Sequence, residues 1–303
     1  MKRMFFLMQR RKNIKRMLFG VIVCAVLSVQ AREEDSVEHV EQGNLALPTS
    51  QQPEPLFGFG QNIVDQGDIQ ALGFASYLNG KNERFFEVAP AVLYGISDTF
   101  SLLFAVPVAA QLKQDGYCSA GVSDLLLQGE YAFYNKDRQT YANQATFVAS
   151  ILLPTGSHKK VPPTGFGSPT FFLGATASHM SVDWYVFSAL GTLLTTAHNH
   201  GTVFGKQFLY EAGFGRNIAY REKRWLLNWL LEFNGQFSAR DKIQGIVDKN
   251  SGGNTFSIGP SLFFSTQRLL LLGGVAFPVA QHLFGVQNKA RYQVAFYASW
   301  KFS

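Results

Sequence analysis

The sequence predicts an all-β fold, a transmembrane antiparallel β-barrel of about twelve strands. Three observations predict it: charged residues are few (16%), aromatic residues are many (14%), and after about residue 67 the chain alternates in polarity with a period of two. A soluble domain usually carries about 25% charged residues. Such alternation places apolar side chains on one face of a strand and polar ones on the other. About twelve segments follow this template, separated by turn residues.

The clearest alternating segment runs from residue 227 to 237. One face carries the large apolar residues Leu227, Trp229, Leu231, Phe233 and Phe237. The other carries the polar residues Asn228, Glu232, Asn234 and Gln236. A soluble β-sandwich also alternates, but its outward face should be charged, whereas here the continuous stripe is apolar. Because a backbone in lipid must pair every N–H and C=O group, strands cross a membrane only as a closed barrel.

The connections between strands predict the orientation of the barrel. Short ones fall at 95–98, 135–141, 181–183, 220–224 and 266–267. Longer, glycine-rich ones fall at 111–121, 156–167, 198–205, 239–253 and 281–289. Outer-membrane barrels have short turns on the periplasmic side and long loops outside. We therefore expect an outer-membrane barrel of a Gram-negative bacterium with both termini in the periplasm.

The first 31 residues predict a cleaved signal peptide. They contain seven basic residues and no acidic one, then an apolar run at 17–29, and they end in Val29-Gln30-Ala31. Removing these seven from the chain's 27 basic residues leaves 20 against 21 acidic residues, so a nucleic-acid partner is not expected. Residues 32–66 predict a largely flexible periplasmic lead-in, and 67–303 the barrel.

Aromatic residues beside the short turns and the C-terminus predict an interfacial girdle, because rings with a polar edge collect where lipid meets water. The candidates are Tyr94, Phe133, Trp184, Tyr185, Trp225 and Trp300.

Several short motifs occur in a characteristic order along the predicted strands and turns. They are Tyr94-Gly95-Ile96-Ser97-Asp98, Gly121-Val122-Ser123-Asp124-Leu125-Leu126, Leu153-Pro154-Thr155-Gly156, Gly165-Phe166-Gly167-Ser168, Glu232-Phe233-Asn234-Gly235, Asn250-Ser251-Gly252-Gly253 and Phe277-Pro278-Val279-Ala280-Gln281. The ordered set resembles a family of proposed outer-membrane transporters named for the meta-pathway of phenol degradation. The resemblance covers nearly all of the chain after residue 67. It implies uptake of small, often aromatic or hydrophobic compounds, and it brings no catalytic residues.

The predicted inward face mixes polar and apolar side chains. The polar candidates for lining the lumen are Glu87, Gln128, Glu130, Glu211, Asn228, Glu232, Asn234, Gln236 and Gln293. The apolar ones are Leu103, Leu126, Leu152, Phe172, Leu190, Leu230, Phe263, Leu270 and Leu272. Two interpretations stay open. Either the polar residues line a solute path, or the glutamates pair with Lys and Arg across a plugged lumen, because buried carboxylates need partners.

We therefore expect a passive channel for small solutes, hydrophobic or aromatic ones among them, with no enzymatic activity, cofactor or metal. The alternative is a non-transport barrel, structural, adhesive or lipid-modifying. No serine–histidine pair suggests the enzyme, and the spacing of His198-Asn199-His200 is better explained by a solvated loop. The expected partners are the lipid bilayer, lipopolysaccharide, the barrel-assembly machinery during insertion and an unidentified small solute.

Overall fold

A computed structural model describes residues 42–197 and 201–302, which form a closed antiparallel barrel of twelve strands. The predicted signal peptide lies outside the described residues. In chain order the strand segments are β1 (Ile69–Gly80), β2 (Glu83–Ser97), β3 (Phe100–Ala105), β4 (Val108–Gln114), β5 (Tyr117–Val122), β6 (Leu125–Asp137), β7 (Tyr141–Leu153), β8 (Thr170–Ser181), β9 (Trp184–Thr195), β10 (Gln207–Arg221), β11 (Trp225–Ser238), β12 (Lys242–Ile243), β13 (Ile246–Val247), β14 (Gly253–Thr266), β15 (Leu269–Leu283) and β16 (Ala290–Lys301).

Two of the twelve barrel strands are each built from two segments. β3 continues as β4 after a break at Val106-Pro107, and β5 continues as β6 after a break at Ser123-Asp124. Proline lacks the N–H that a strand interior needs, which explains the first break. β12 and β13 form a separate hairpin within a loop. β1 pairs with both β2 and β16, and this pairing closes the barrel.

The two ends of the barrel differ in their connections. The short-turn end carries the turns at 98–99, 138–140, 182–183, 222–224 and 267–268, and the chain enters and leaves the barrel there. The loop end carries connections at 81–82, 115–116, 154–169, 196–206, 239–252 and 284–289.

The prediction of a long loop at 111–121 is wrong. Residues 111–121 form most of the β4–β5 hairpin, and Asp115 and Gly116 turn it tightly with positive φ angles of 50° and 91°.

The outer wall of the barrel is apolar. Residues that pair across neighbouring strands share a face, and the face opposite the lumen exposes large hydrophobic side chains on nearly every strand. Examples are Val92, Phe104, Leu127, Phe147, Leu173, Leu262 and Phe296. Among the described residues, no helix is long and apolar enough to cross a membrane. This exposed band suits lipid contact and explains the low overall charge of the chain.

Residues 42–68, here called the luminal segment, run inside the barrel. The segment starts at the short-turn end, where the Asn44 amide donates to the Val182 carbonyl at 2.9 Å. At its middle, the Leu56 amide reaches Glu232 on β11. It returns to the short-turn end, where the Gly67 amide donates to the Gly95 carbonyl at 2.9 Å, and continues into β1.

Residues 42–66, which the sequence predicted as part of a largely flexible lead-in, are instead packed inside the barrel. Leu47 and Leu56 lie in one buried cluster with Leu226, Leu230 and Phe263 of the wall. Burying such side chains is worth about 1.5–3 kcal/mol each, which offsets part of the entropy lost when the segment is ordered.

Candidate functional site

Three glutamates on the inner wall hold the middle of the luminal segment. Glu232, on β11, receives two of its backbone amides: Leu56 N–H donates to Oε1 at 3.0 Å and Phe57 N–H to Oε2 at 2.9 Å. The Ser261 hydroxyl also donates to Oε1, at 3.3 Å. Glu232 has no solvent exposure, so these bonds replace the water that an ionised carboxylate would otherwise bind.

Glu130, on β6, makes the same arrangement with the next part of the segment. Gln61 N–H donates to Oε1 at 2.6 Å and Asn62 N–H to Oε2 at 3.1 Å. The Thr146 hydroxyl of β7 adds a bond to Oε1 at 2.7 Å. Between the two anchors, Phe59 N–H donates to Glu211 Oε2 at 3.1 Å. Three carboxylates on three strands thus accept hydrogen bonds from the backbone of one short stretch, residues 56–62.

This geometry differs from both interpretations of the wall glutamates. Among the described residues, Glu130, Glu211 and Glu232 bind backbone N–H groups of the luminal segment, and they do not form the pairs with Lys and Arg that one interpretation required. The ion pair that the described lumen does contain joins Lys301 Nζ to Asp68 Oδ2 at 2.5 Å, at the short-turn end. The backbone N–H groups satisfy the carboxyl oxygens of these glutamates, so this set of bonds can hold the segment without a counter-cation.

The segment fits the lumen closely. Gly60 has a φ of +80°, and a Cβ there would lie 2.5 Å from Thr176 Cγ2. A Cβ on Gly58 would lie 2.7 Å from Glu211 Oε2. Phe59 packs edge-to-face on Phe172 with ring centroids 4.7 Å apart. The two glycines are therefore needed for the backbone to approach the carboxylates.

Glu54, on the luminal segment itself, is an ionisable group inside the barrel. Desolvation by burial raises its pKa to about 8; the nearby Glu130 carboxylate also raises the pKa, and a hydrogen bond from the Tyr297 side chain opposes the shift. The docked segment therefore favours the protonated form of Glu54.

Asp124, beside the break between β5 and β6, anchors the long loop 154–169. Its Oδ1 accepts the Gly156 amide at 2.9 Å and its Oδ2 the Phe166 amide at 2.7 Å, and Asp124 is buried. A Cβ on Gly165 would lie 2.2 Å from Asp124 Oδ1, so only glycine fits there. Three of the motifs noted in the sequence thus meet at one carboxylate.

The comparison with known protein families includes the middle of the luminal segment. The family model described as "Putative MetA-pathway of phenol degradation" matches residues 55–293, which is most of the chain. The chain belongs to this family. The matched range starts within the luminal segment, at the residue before Leu56, so the segment's middle lies in the family's common region. No curated protein matches the chain significantly.

A solved outer-membrane channel shares the fold of this family member. The COG4313 outer membrane channel from Pseudomonas putida F1 superposes with a TM-score of 0.62 at 12% identity, covering 79% of this chain and 97% of that one. The NanC porin gives a TM-score of 0.48 at 9% identity, covering 77% and 100%. At this identity the first likeness shows the fold, an outer-membrane β-barrel of the kind predicted from the sequence.

A cavity of about 250 Å³ opens at the loop end of the barrel. Its lining residues are Phe166, Phe204, Gly205, Gln207, Gln236, Ser238, Asp241, Gly252, Gly253, Thr255, Leu283 and Gln287. They come from β10, β11, β14 and β15 and from the loops at 154–169, 196–206, 239–252 and 284–289. The luminal segment docks in the middle and short-turn half, so the cavity lies beyond it toward the loops.

The register places all nine polar candidates on the inward face. This set is Glu87, Gln128, Glu130, Glu211, Asn228, Glu232, Asn234, Gln236 and Gln293. Their environments differ. Asn228 Nδ2 donates to Asn217 Oδ1 at 2.9 Å, whereas Glu87 makes no bond to the luminal segment within the described residues. One apolar expectation is wrong: Leu190 faces outward and is 44% exposed, because it alternates with the inward Ala189 and Gly191.

Five of the six aromatic candidates for the girdle face outward: Tyr94, Phe133, Trp184, Trp225 and Trp300. Tyr185 does not. It is fully buried in the lumen, and its hydroxyl donates to Gln61 Oε1 of the luminal segment. Successive residues of a strand point to opposite faces, so Trp184 and Tyr185 could not both lie in the girdle.

The luminal segment is the element of the candidate site that sequence reasoning missed. Its signal was the stretch Leu56-Phe57-Gly58-Phe59-Gly60, which is apolar and glycine-rich inside a region read as a polar linker. No group of histidine, cysteine or acidic residues in the described part of the chain is arranged to hold a metal ion. His198 and His200 lie outside the described residues.

Proposed function

We propose that this protein is an outer-membrane channel for passive passage of small, hydrophobic or aromatic solutes, and that the luminal segment is its gate. The observation that carries the proposal is the way the segment is held. Five backbone amides of the segment donate to wall carboxylates, and water can replace these bonds when the segment moves. The amides are those of Leu56, Phe57, Phe59, Gln61 and Asn62.

The size of the barrel supports this proposal. A barrel of about eight strands has an interior filled by wall side chains, and one of sixteen or more leaves an aqueous channel. Twelve strands leave a space that the wall alone does not fill, and here a separate stretch of chain occupies it. Removal of that stretch would leave a path lined by the polar and apolar residues described above.

The orientation that we propose puts the short-turn end in the periplasm, because short turns are periplasmic in bacterial barrels. Both ends of the barrel chain would then lie on that side, and the cavity would face the outside. The protein would use no cofactor and catalyse no reaction. A structural barrel is the second candidate, since a lumen that is half filled by the segment would also suit a barrel that stays permanently closed.

Planar-bilayer conductance tests the proposal. We expect the detergent-folded mature chain to show rare openings and the double variant E130Q/E232Q to open far more often. A glutamine offers one acceptor oxygen where the carboxylate uses two, so each anchor loses a bond worth about 1.5–3 kcal/mol.

The matched control is Glu87→Gln, since Glu87 also faces the lumen and, among the residues that the structure describes, makes no hydrogen bond to the segment. We expect the control to behave as the unmodified protein does. Folded, inserted protein that stays silent in all three forms would remove the channel and leave the structural barrel.

A further inference from the structure

The loop-end cavity has a polar wall on one side and an aromatic corner on the other. Gln207 of β10, Gln236 of β11 and Thr255 of β14 face inward on three adjacent strands. The rings of Phe166 and Phe204, from two different loops, meet edge-to-face with centroids 5.5 Å apart. Phe166 is fixed there by the bond from its amide to Asp124. The cavity is therefore shaped by anchored residues.

The polar wall has hydrogen-bonding capacity to spare. Gln236 Nε2 donates to Gln207 Oε1 at 2.9 Å and to Ser238 Oγ at 3.4 Å. This arrangement uses the donor of Gln236 and the acceptor of Gln207. Within the described residues, the acceptor oxygen of Gln236 and the donor nitrogen of Gln207 are left without partners. One donor and one acceptor therefore face the same cavity on neighbouring strands.

Asn234 gives a second, independent sign of a ligand. It lies one inward position below Gln236 on β11, between the cavity and Glu232. Both of its side-chain polar atoms are buried and have no hydrogen-bond partner in the described structure. A buried amide with neither atom bonded costs free energy, so such a group calls for a hydrogen-bonding partner.

Charge limits what that partner can be. The acidic side chain that lines the cavity is that of Asp241, and among the described residues no Lys, Arg or His lines the cavity. Asp241 Oδ1 accepts the Gly205 amide at 2.7 Å. An anion would be repelled with no cation to balance it. The volume, about 250 Å³, is below the roughly 300–1,000 Å³ of ordinary small-molecule pockets, so the solute must be small.

We propose that this cavity is a binding site for a small, uncharged solute that carries a ring and an amide or hydroxyl group. The ring packs in the corner of Phe166 and Phe204, and the polar group bonds Gln207 and Gln236. Asn234 then receives that polar group on its way toward the luminal segment. This inference rests on the proposed channel function and adds the solute class and the first site on its path.

Benzamide is the probe, because it has one aromatic ring and one uncharged amide. Binding to the detergent-folded mature chain is measured by saturation-transfer NMR. We expect saturable binding of benzamide, and at least tenfold weaker binding of benzoate, which has the same shape and a negative charge. Gln236→Leu should weaken benzamide binding about three- to tenfold, the equivalent of one lost hydrogen bond.

Gln293→Leu is the matched control, since Gln293 faces the lumen from β16 and does not line the cavity. Its affinity for benzamide should stay within about twofold of the unmodified protein. Folding of each variant is checked by heat-modifiable migration, and Gln207→Leu replaces Gln236→Leu where the latter does not fold. Absent saturable binding, equal binding of benzoate, or equal loss in the variant and the control would each overturn the site.

Conductance of the same preparations separates this inference from the channel itself. Open channels that do not bind benzamide would overturn the site and leave the channel. Benzamide binding that depends on Gln236 in protein that never conducts would support the site and overturn the channel.

Discussion

The two halves of the lumen use the same kind of wall in different ways. In the short-turn half and the middle, inward polar residues such as Glu130 and Glu232 bind the luminal segment and are fully buried. In the loop half, Gln207 and Gln236 bind mainly each other and face a cavity. The strands alternate identically in both halves. Occupation by the luminal segment, and not the wall pattern, therefore decides which half is closed.

The test with the largest expected effect removes the luminal segment. Deleting residues 42–66 should convert the closed half into a lumen like the open one, because the wall side chains alone do not fill twelve strands. We expect a stable conductance several times that of the full mature chain in planar bilayers. Replacing the β12–β13 hairpin, residues 242–247, with a glycine–serine linker should leave conductance unchanged. Equal conductance of the deletion and the full chain would mean that the wall itself closes the lumen.

A second test loosens the loop half. Asp124→Asn keeps one acceptor and puts an NH₂ group opposite one of the two loop amides, so loop 154–169 should open more often. At about 1.5–3 kcal/mol for the lost bond, we expect trypsin to cut at Lys159 and Lys160 roughly tenfold faster or more. Asp183→Asn, in a short turn, is the control, and trypsin should cleave this variant at the rate of the unmodified protein. Unchanged cleavage in Asp124→Asn would show that other contacts hold the loop.

A third test uses pH on the filled half. Because burial raises the pKa of Glu54 from its ordinary value of 4.5 to about 8, the docked segment keeps a proton between these pH values that the free segment releases. Docking should therefore weaken as pH rises from about 4.5 to about 8, and level off above that. We expect openings to increase with pH over this range, and Glu54→Gln to reduce that increase. An identical pH profile in the variant would exclude Glu54 as a contributor.

The smallest expected effect concerns one contact of the filled half. Tyr185→Phe removes the hydroxyl that donates to Gln61 and leaves the ring in place. We expect a loss of about 0.5–1.5 kcal/mol in the free energy of unfolding, measured by urea titration. Trp184→Phe, its outward neighbour, changes no contact with the segment and serves as the control. A larger loss in the control would mean that the wall–lipid contact matters more than the docked segment.

Much of the wall could be predicted from the sequence, because strand geometry is local. Alternation in residues 227–237 assigned Trp229 and Glu232 to opposite faces, and the register agrees. The same rule shows why Tyr185 was misplaced: it was grouped with Trp184 by proximity to a turn instead of by its face. The loop predicted at 111–121 came from a misplaced strand boundary, and Leu190 was assigned to the wrong face of its strand. A long alternating run fixes boundaries and faces, whereas a short or apolar run does not.

The sequence by itself determined the barrel, its approximate strand number and the face of most wall residues, since a period of two and the pairing of every backbone group leave few alternatives. Only the tertiary structure decided what occupies the lumen. Carboxylates at 130, 211 and 232 are far apart in the chain, and they meet residues 56–62 only when the barrel closes around them. A short stretch without its own periodicity reads as a linker until the wall that satisfies its backbone amides is in place.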